Sequence, residues 1–218
     1  MKDKMLDPGL EQKLIQLPQL QAGKGVWQNK FHEFDVYGHT LSYVHHIKEL
    51  TADPEMIVAG YLHDIGKPVV KKIKITNGVI EEKKPGKPYH EFDDHEKEGE
   101  RMVREMDPDL FNEYGLDQDR IARLVGAHYA PMKGIKEMRK TTNWDDFVSA
   151  YRALEETINE TNVPKEEVMT MFLADCLAKG KSCTDVEELK AVREAILTSG
   201  RNLARVYRIQ KGMYGSKE

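Results

Sequence analysis

The chain has 218 residues, 32% of them charged and 39% hydrophobic, with 33 Lys and Arg against 37 Asp and Glu for a formal net charge of −4. That length supports one good core, the composition fits a helix-rich soluble protein, and the slightly acidic balance weighs against a dedicated nucleic-acid binder. Two cysteines, Cys176 and Cys183, are too few for a disulfide framework, and neither an 18-residue apolar run nor a signal-peptide-like N-terminus is present, so a cytoplasmic protein without a membrane span is expected.

Leu10 to Leu20 reads as a short amphipathic segment ended or kinked by Pro18, and Gly23 and Gly25 mark a loop. Val36 to Leu50 carries Leu41, Val44, Ile47 and Leu50 at helical spacing. Asp53-Pro54 reads as an N-cap with proline in the first turn. The helix it opens runs through Met56, Ile57, Tyr61 and Leu62 into His63-Asp64, with Gly66 and Pro68 as stops. Asn77-Gly78 between β-prone flanks predicts one small β-hairpin, with Pro85, Gly86 and Pro88 closing it in a loop and Lys71 to Lys74 on its solvated face.

Helix resumes from Asp93-Asp94 through His95 to about Met106. A short turn at Asp107-Pro108 follows, then a helix from Asp117 to about His128, ended by Ala130-Pro131. The basic stretch Gly134 to Thr142 is the most loop-like internal segment and reads as an exposed flap. Asn143 or Trp144 opens a helix with Phe147, Tyr151, Leu154 and Ile158. Pro164 opens one with Val168, Met171, Phe172 and Asp175, and a last helix begins near Thr184. The expected fold is all-α, a helical bundle with one hairpin. It forms a single domain divided into an N-terminal extension 1–30, a core 31–179 and a C-terminal helix 180–218.

The most informative residues are His63-Asp64. Adjacent side chains on a helix diverge by about 100°, so both serve one purpose only if the helix end lines a pocket. His39 upstream, and His95, His128 and Asp175 downstream, follow at gaps of at least one helix plus a connection, as expected for ligands converging from successive helices of a bundle. Asp175 stands in the apolar run Phe-Leu-Ala-Asp-Cys-Leu-Ala, where a lone carboxylate is costly unless paired or metal-bound. Such a mixed His and Asp set is a hard site suited to phosphate chemistry. His45, His46 and His90 read as surface or structural histidines, and Cys176 as a buried small residue.

The stretches Val-Tyr-Gly-His39-Thr-Leu, Leu-His63-Asp64-Ile-Gly-Lys67-Pro, Asp-His95-Glu-Lys-Glu-Gly-Glu-Arg, Ala-His128-Tyr-Ala-Pro and Leu-Ala-Asp175-Cys-Leu-Ala together resemble the HD-domain superfamily of metal-dependent phosphohydrolases. Within it the chain is most similar to the HD domain appended to bacterial tRNA nucleotidyltransferases and poly(A) polymerases, and to their stand-alone relatives. The polymerase half of those enzymes has no counterpart here. The resemblance implies a metal core of His39, His63, Asp64 and Asp175. His95 and His128 would be the extra ligands of a two-metal form bridged by Asp64. It implies one or two divalent ions of Fe, Mn, Ni, Co or Zn, with Mg as a further candidate. The reaction implied is hydrolysis of a nucleotide or related small phosphomono- or phosphodiester, 2′,3′-cyclic phosphates included, by a metal-activated hydroxide. Asp64, Lys67 and His32 are the catalytic candidates, His32 for orienting substrate or protonating the leaving group. Lys67, Arg101 and Lys133 are candidates for phosphate contact. A small-molecule phosphoester is the expected partner; an RNA end is a further one that the charge does not indicate. Two alternatives share the ligand set: an HD-type di-iron oxygenase, and a non-catalytic nucleotide- or RNA-binding module.

Overall fold

The computed structural model describes residues 6–180 and 186–214, so Cys183 and Thr184 lie outside the described residues. It is a helical protein carrying one small β arm, the class expected from the sequence. The chain divides into two compact units, one of residues 1–126 and 174–184, the other of residues 127–173 and 185–218.

The first unit opens with α1 (Pro8–Gln16) and α2 (Pro18–Gln21), interrupted at Leu17 because Pro18 begins a new turn. Next is α3 (Val36–Leu50), capped by Asp35, whose Oδ1 accepts from the Gly38 amide at 2.8 Å. An N-cap of this kind contributes about 1 kcal/mol, and here it also sets the phase of the helix. The buried face is Val36, His39, Thr40, Tyr43, Val44 and Ile47. Leu41 and Leu50, expected on the apolar face, instead remain more than a third exposed, at 38% and 39%.

Against α3 packs α4 (Pro54–Leu62), whose cap Asp53 accepts from the amides of Glu55 and Met56. Met56 through Leu62 are all buried. A helix apolar on every side belongs in a core, so α4 delivers its C-terminal residues, His63 and Asp64, to the interior. The chain keeps a helical turn through His63 and then forms α5 (Lys67–Val70). Pro68 is therefore not a stop: it occupies the first turn of α5, where its missing N–H costs nothing.

The hairpin is more elaborate than expected. Six short strands, β1 (Lys72–Ile73), β2 (Ile75–Thr76), β3 (Val79–Ile80), β4 (Glu82–Lys84), β5 (Lys87–Pro88) and β6 (His90–Glu91), form three antiparallel pairs, β1–β6, β2–β3 and β4–β5. Asn77 and Gly78, both at positive φ, make the β2–β3 turn, the geometry that an Asn-Gly hairpin favours. Pro85-Gly86 does not end the arm in a loop; Gly86 turns β4 into β5 as a second hairpin. Helices α6 (His95–Arg104), α7 (Asp109–Asn112) and α8 (Gln118–Ala127) follow.

The second unit contains α9 (Ala130–Lys140), α10 (Trp144–Glu160), most of α11 (Lys165–Leu177), α12 (Val186–Leu197) and α13 (Leu203–Tyr214). The flap expected at Gly134 to Thr142 is instead the body of α9. Its lysines are the solvent side of a helix that buries Met132, Ile135 and Met138. A Cβ on Gly134 would stand 2.8 Å from Leu154, so α9 and α10 meet closely there. The single expected C-terminal helix is two, broken between Leu197 and Leu203 by Ser199, Gly200 and Asn202 at positive φ. The buried Glu188 of α12 takes two hydrogen bonds from Arg139 and one from the Gln210 amide.

Candidate metal centre

In the first unit, α3, the end of α4, the start of α6 and the last turn of α11 bring His39, His63, Asp64, His95 and Asp175 into one buried cluster. His39 Nε2 is 2.9 Å from Asp175 Oδ1 and 3.6 Å from Asp64 Oδ2. His63 Nε2 is 3.2 Å from Asp64 Oδ2 and 4.0 Å from Asp175 Oδ1. His95 Nε2 is 3.6 Å from Asp64 Oδ1. The ligand atoms of His39, His63 and Asp175 all lie within 4.8 Å of one another.

The other ring nitrogens show how the imidazoles are aimed. Nδ1 of His63 donates to the Gly60 carbonyl at 2.8 Å, and Nδ1 of His95 to the Phe92 carbonyl at 2.8 Å. His39 Nδ1 faces the Ala178 carbonyl at 3.3 Å. A proton on Nδ1 leaves Nε2 as a lone-pair donor, the arrangement in which a carbonyl fixes the tautomer of a metal-binding histidine. Tyr43 packs its ring on His63 at 4.1 Å, nearly parallel. Gly60 makes room for it: a Cβ there would meet the Tyr43 ring at 2.8 Å.

The cluster therefore converges lone pairs of imidazole nitrogen and carboxylate oxygen, a set that calls for positive charge. Burial pushes the Asp64 carboxyl up, but the polar neighbours around it, the Lys67 ammonium among them, outweigh that and hold it well below the usual carboxylate range. Asp175 is held low chiefly by the Lys179 ammonium, against its burial. Burial lowers the His39 imidazole, and it lowers His95 to about 4 with help from the Lys67 charge, both shifts favouring the neutral ring that ligation requires. A divalent cation fits this donor set.

Lys67 is buried beside the cluster. Its Nζ donates to Asp64 Oδ2 and to Gln28 Oε1, each at 2.7 Å, and sits 5.5 Å from the centre of the Phe92 ring. His32 is half-buried with its ring edge-on to His39 at 5.2 Å. Its Nδ1 donates to Asn29 Oδ1, and burial pushes the ring down to about 2. His128 is buried just after α8, at the start of the second unit. Arg101 is not brought to the cluster: on the solvent side of α6 its guanidinium is engaged by Glu98 and Glu105. Lys133 is exposed on α9. His45, His46 and Glu49 form a separate histidine–carboxylate group on the outer side of α3, and His90 donates to the Trp27 carbonyl.

Sequence reasoning missed Lys179, 3.8 Å from Asp175 Oδ2, although its position four residues after the carboxylate was the signal for such a pair. It also missed Tyr43, one turn after His39, and Gln28, for which no local pattern exists.

The family model described as HD domain matches residues 36–180. Among curated proteins the chain is similar to the A-adding tRNA nucleotidyltransferase of Deinococcus radiodurans, 28% identical over 116 residues, which is 52% of this chain and 24% of that protein. The chain thus aligns with about a quarter of the length of that relative. No solved structure gives a significant match. Among the described residues no helix is long and apolar enough to cross a membrane.

Proposed function

We propose that this chain, which belongs to the HD domain family, is a metal-dependent phosphohydrolase acting on a nucleotide or related small phosphomono- or phosphodiester. The observation that carries the reading is the buried convergence of His39, His63 and Asp175 beside an Asp64 clamped by Lys67. When bound there, a divalent metal supplies Lewis-acid polarisation of a phosphoryl oxygen and acidifies a water.

The chain's own groups do the rest. His39, His63, Asp64 and Asp175 hold the ion, and the carbonyls of Gly60 and Ala178 keep the two imidazoles in register. Lys67 places fixed positive charge next to Asp64, where a phosphoryl oxygen entering the site gains a preorganised electrostatic partner. With its Nδ1 proton on Asn29, His32 presents Nε2 as an acceptor and orients a substrate hydroxyl. His95 and His128 are the residues whose loss lowers the metal content if two ions bind. Arg101, committed to its two glutamates, has no role in this reading.

The test is elemental analysis of freshly purified protein followed by a phosphoester panel with the metal found. His63→Ala and Asp64→Ala should each abolish phosphate release while the circular dichroism stays helical; turnover in the double variant would sink the assignment. Two irons with substrate-dependent oxygen uptake and no phosphate release would instead make the chain an oxygenase. Tight nucleotide binding without turnover on Mn²⁺, Ni²⁺, Co²⁺ or Fe²⁺ would make it a binding module.

A further inference from the structure

Gln28 lies ahead of the matched region 36–180 and belongs to no ligand motif, yet it is 1% exposed and reaches the centre. Its backbone is tied to the base of the β arm, the carbonyl accepting from the His90 amide at 3.0 Å. The preceding Trp27 bridges to Asp35 and Tyr89, with Lys83 and Lys87 each 4.9 Å from its ring. The residue is therefore held, not draped. The orientation of its carboxamide follows from chemistry: the ammonium of Lys67 is donor only, so the oxygen must face it, as observed at 2.7 Å. That leaves Nε2 on the other arm of the same carboxamide, buried and without a hydrogen-bond partner among the described residues. An unmet buried donor costs about 1–3 kcal/mol, so its retention beside a charged lysine points to an acceptor that arrives with a ligand.

We propose that Gln28 is a substrate-positioning residue: Oε1 holds the Lys67 ammonium against Asp64, and Nε2 donates to an anionic phosphoryl oxygen of the bound substrate. Ammonium and amide are then two donors side by side. A phosphoryl group, with several negatively charged acceptor oxygens on one centre, satisfies both and balances the ammonium, whereas a neutral hydroxyl brings no counter-charge. This rests on the phosphohydrolase reading for the class of ligand, and on the carboxamide geometry for the residue.

Gln28→Met keeps the shape and removes both polar atoms; Gln28→Glu keeps an acceptor for Lys67 and removes the donor. The assays are calorimetric binding of inorganic phosphate to the Mn²⁺-loaded protein, and KM and kcat for the best substrate of the panel, with metal content measured alongside. Both variants should weaken phosphate about tenfold or more, the worth of one hydrogen bond to a charged group. Both should raise KM by a similar factor while kcat falls less, with Glu the worse of the two because its charge repels the anion. Recovery of wild-type phosphate affinity by Gln28→Glu would show that Gln28 only aligns Lys67 and would overturn the donor role. Turnover by the wild type with an unchanged KM in Gln28→Met leaves the hydrolase standing and removes Gln28 from it. Phosphate binding that depends on Gln28, in a protein that turns over no phosphoester, keeps the inference and removes the hydrolase. A wild type that neither binds phosphate nor releases it overturns both.

Discussion

Gly66→Ala isolates a steric contact on which the metal centre depends. The backbone at Gly66 has φ −72° and ψ −27°, which any residue adopts, so the substitution brings no conformational strain. The chain around it forbids it. An added Cβ would lie 2.2 Å from the His95 carbonyl oxygen and 2.8 Å from the Gly99 amide nitrogen, both backbone atoms of α6. Reaching even 3.0 Å from that oxygen requires α6 to retreat by 0.8 Å, and a rotamer change cannot relieve it. Overpacking of this kind costs about 1–3 kcal/mol, with rigid backbone on both sides favouring the upper end. Replacing glycine returns about 0.4–1 kcal/mol through the unfolded chain. The net loss is about 2 kcal/mol, or about 4–8 °C in melting temperature for a chain of this size. Since His95 opens α6 and its Nε2 lies 3.6 Å from Asp64, the retreat should also lower metal retention, by about 10–100-fold if it disturbs ligands as loss of an outer-shell partner does. The assay is thermal melting with metal analysis after dialysis. Gly212→Ala is the control, because no described atom lies within 4 Å of its added Cβ. A Gly66→Ala protein melting within about 2 °C of wild type, with its metal retained, would refute the close-approach argument.

Metal-free protein should lose stability on acidification between about pH 6.5 and 4. Burial and the Lys67 charge hold folded His95 near 4 against an ordinary 6.5, so the unfolded chain binds the proton first. That contribution is complete above pH 6.5 and lost as pH falls to 4, by about 3 kcal/mol in all. Denaturation midpoints in chelator at pH 7 and 5 measure it; His95→Gln should flatten the slope, and an equal midpoint at both pH values contradicts the buried neutral ring. In the second unit, Arg139→Ala should cost about 3 kcal/mol, because it strips two hydrogen bonds from the fully buried Glu188 carboxylate. Pairing it with Glu188→Leu should recover much of that loss in urea titrations. A single-variant cost below about 1 kcal/mol, the worth of an exposed pair, would mean that the ion pair is screened.

The helix starts were legible because capping is local. Asp53-Pro54 and Asn143 announce α4 and α10 through side chains that bind amides two or three residues on. The β2–β3 turn was legible for the same reason. The α9 segment was misread because its lysines dominate the composition, although Met132, Ile135 and Met138 recur every third residue and are the face that packs. The break after α12 depends on three positive-φ residues, of which only Gly200 carries an obvious signal. At the candidate site, the order and flanks of the histidines and aspartates singled out the cluster, and Lys67 stood within the same motif. Gln28, Tyr43 and the role of Gly66 were illegible. Each acts through a contact with a segment distant in the chain, and single-residue packing of that kind leaves no periodic trace.

The hydrogen bonds of His63 and His95 to Gly60 and Phe92 each span only three residues. The aim of these imidazoles is thus set within two tetrapeptides. A receptor built this way does not mould itself to its guest. It offers the same lone pairs to every small divalent ion, and geometry alone separates iron from manganese poorly. Which element the protein carries would then follow the metal supply of the cell that made it, and preparations from iron-rich and manganese-rich cultures would differ in content while sharing one fold.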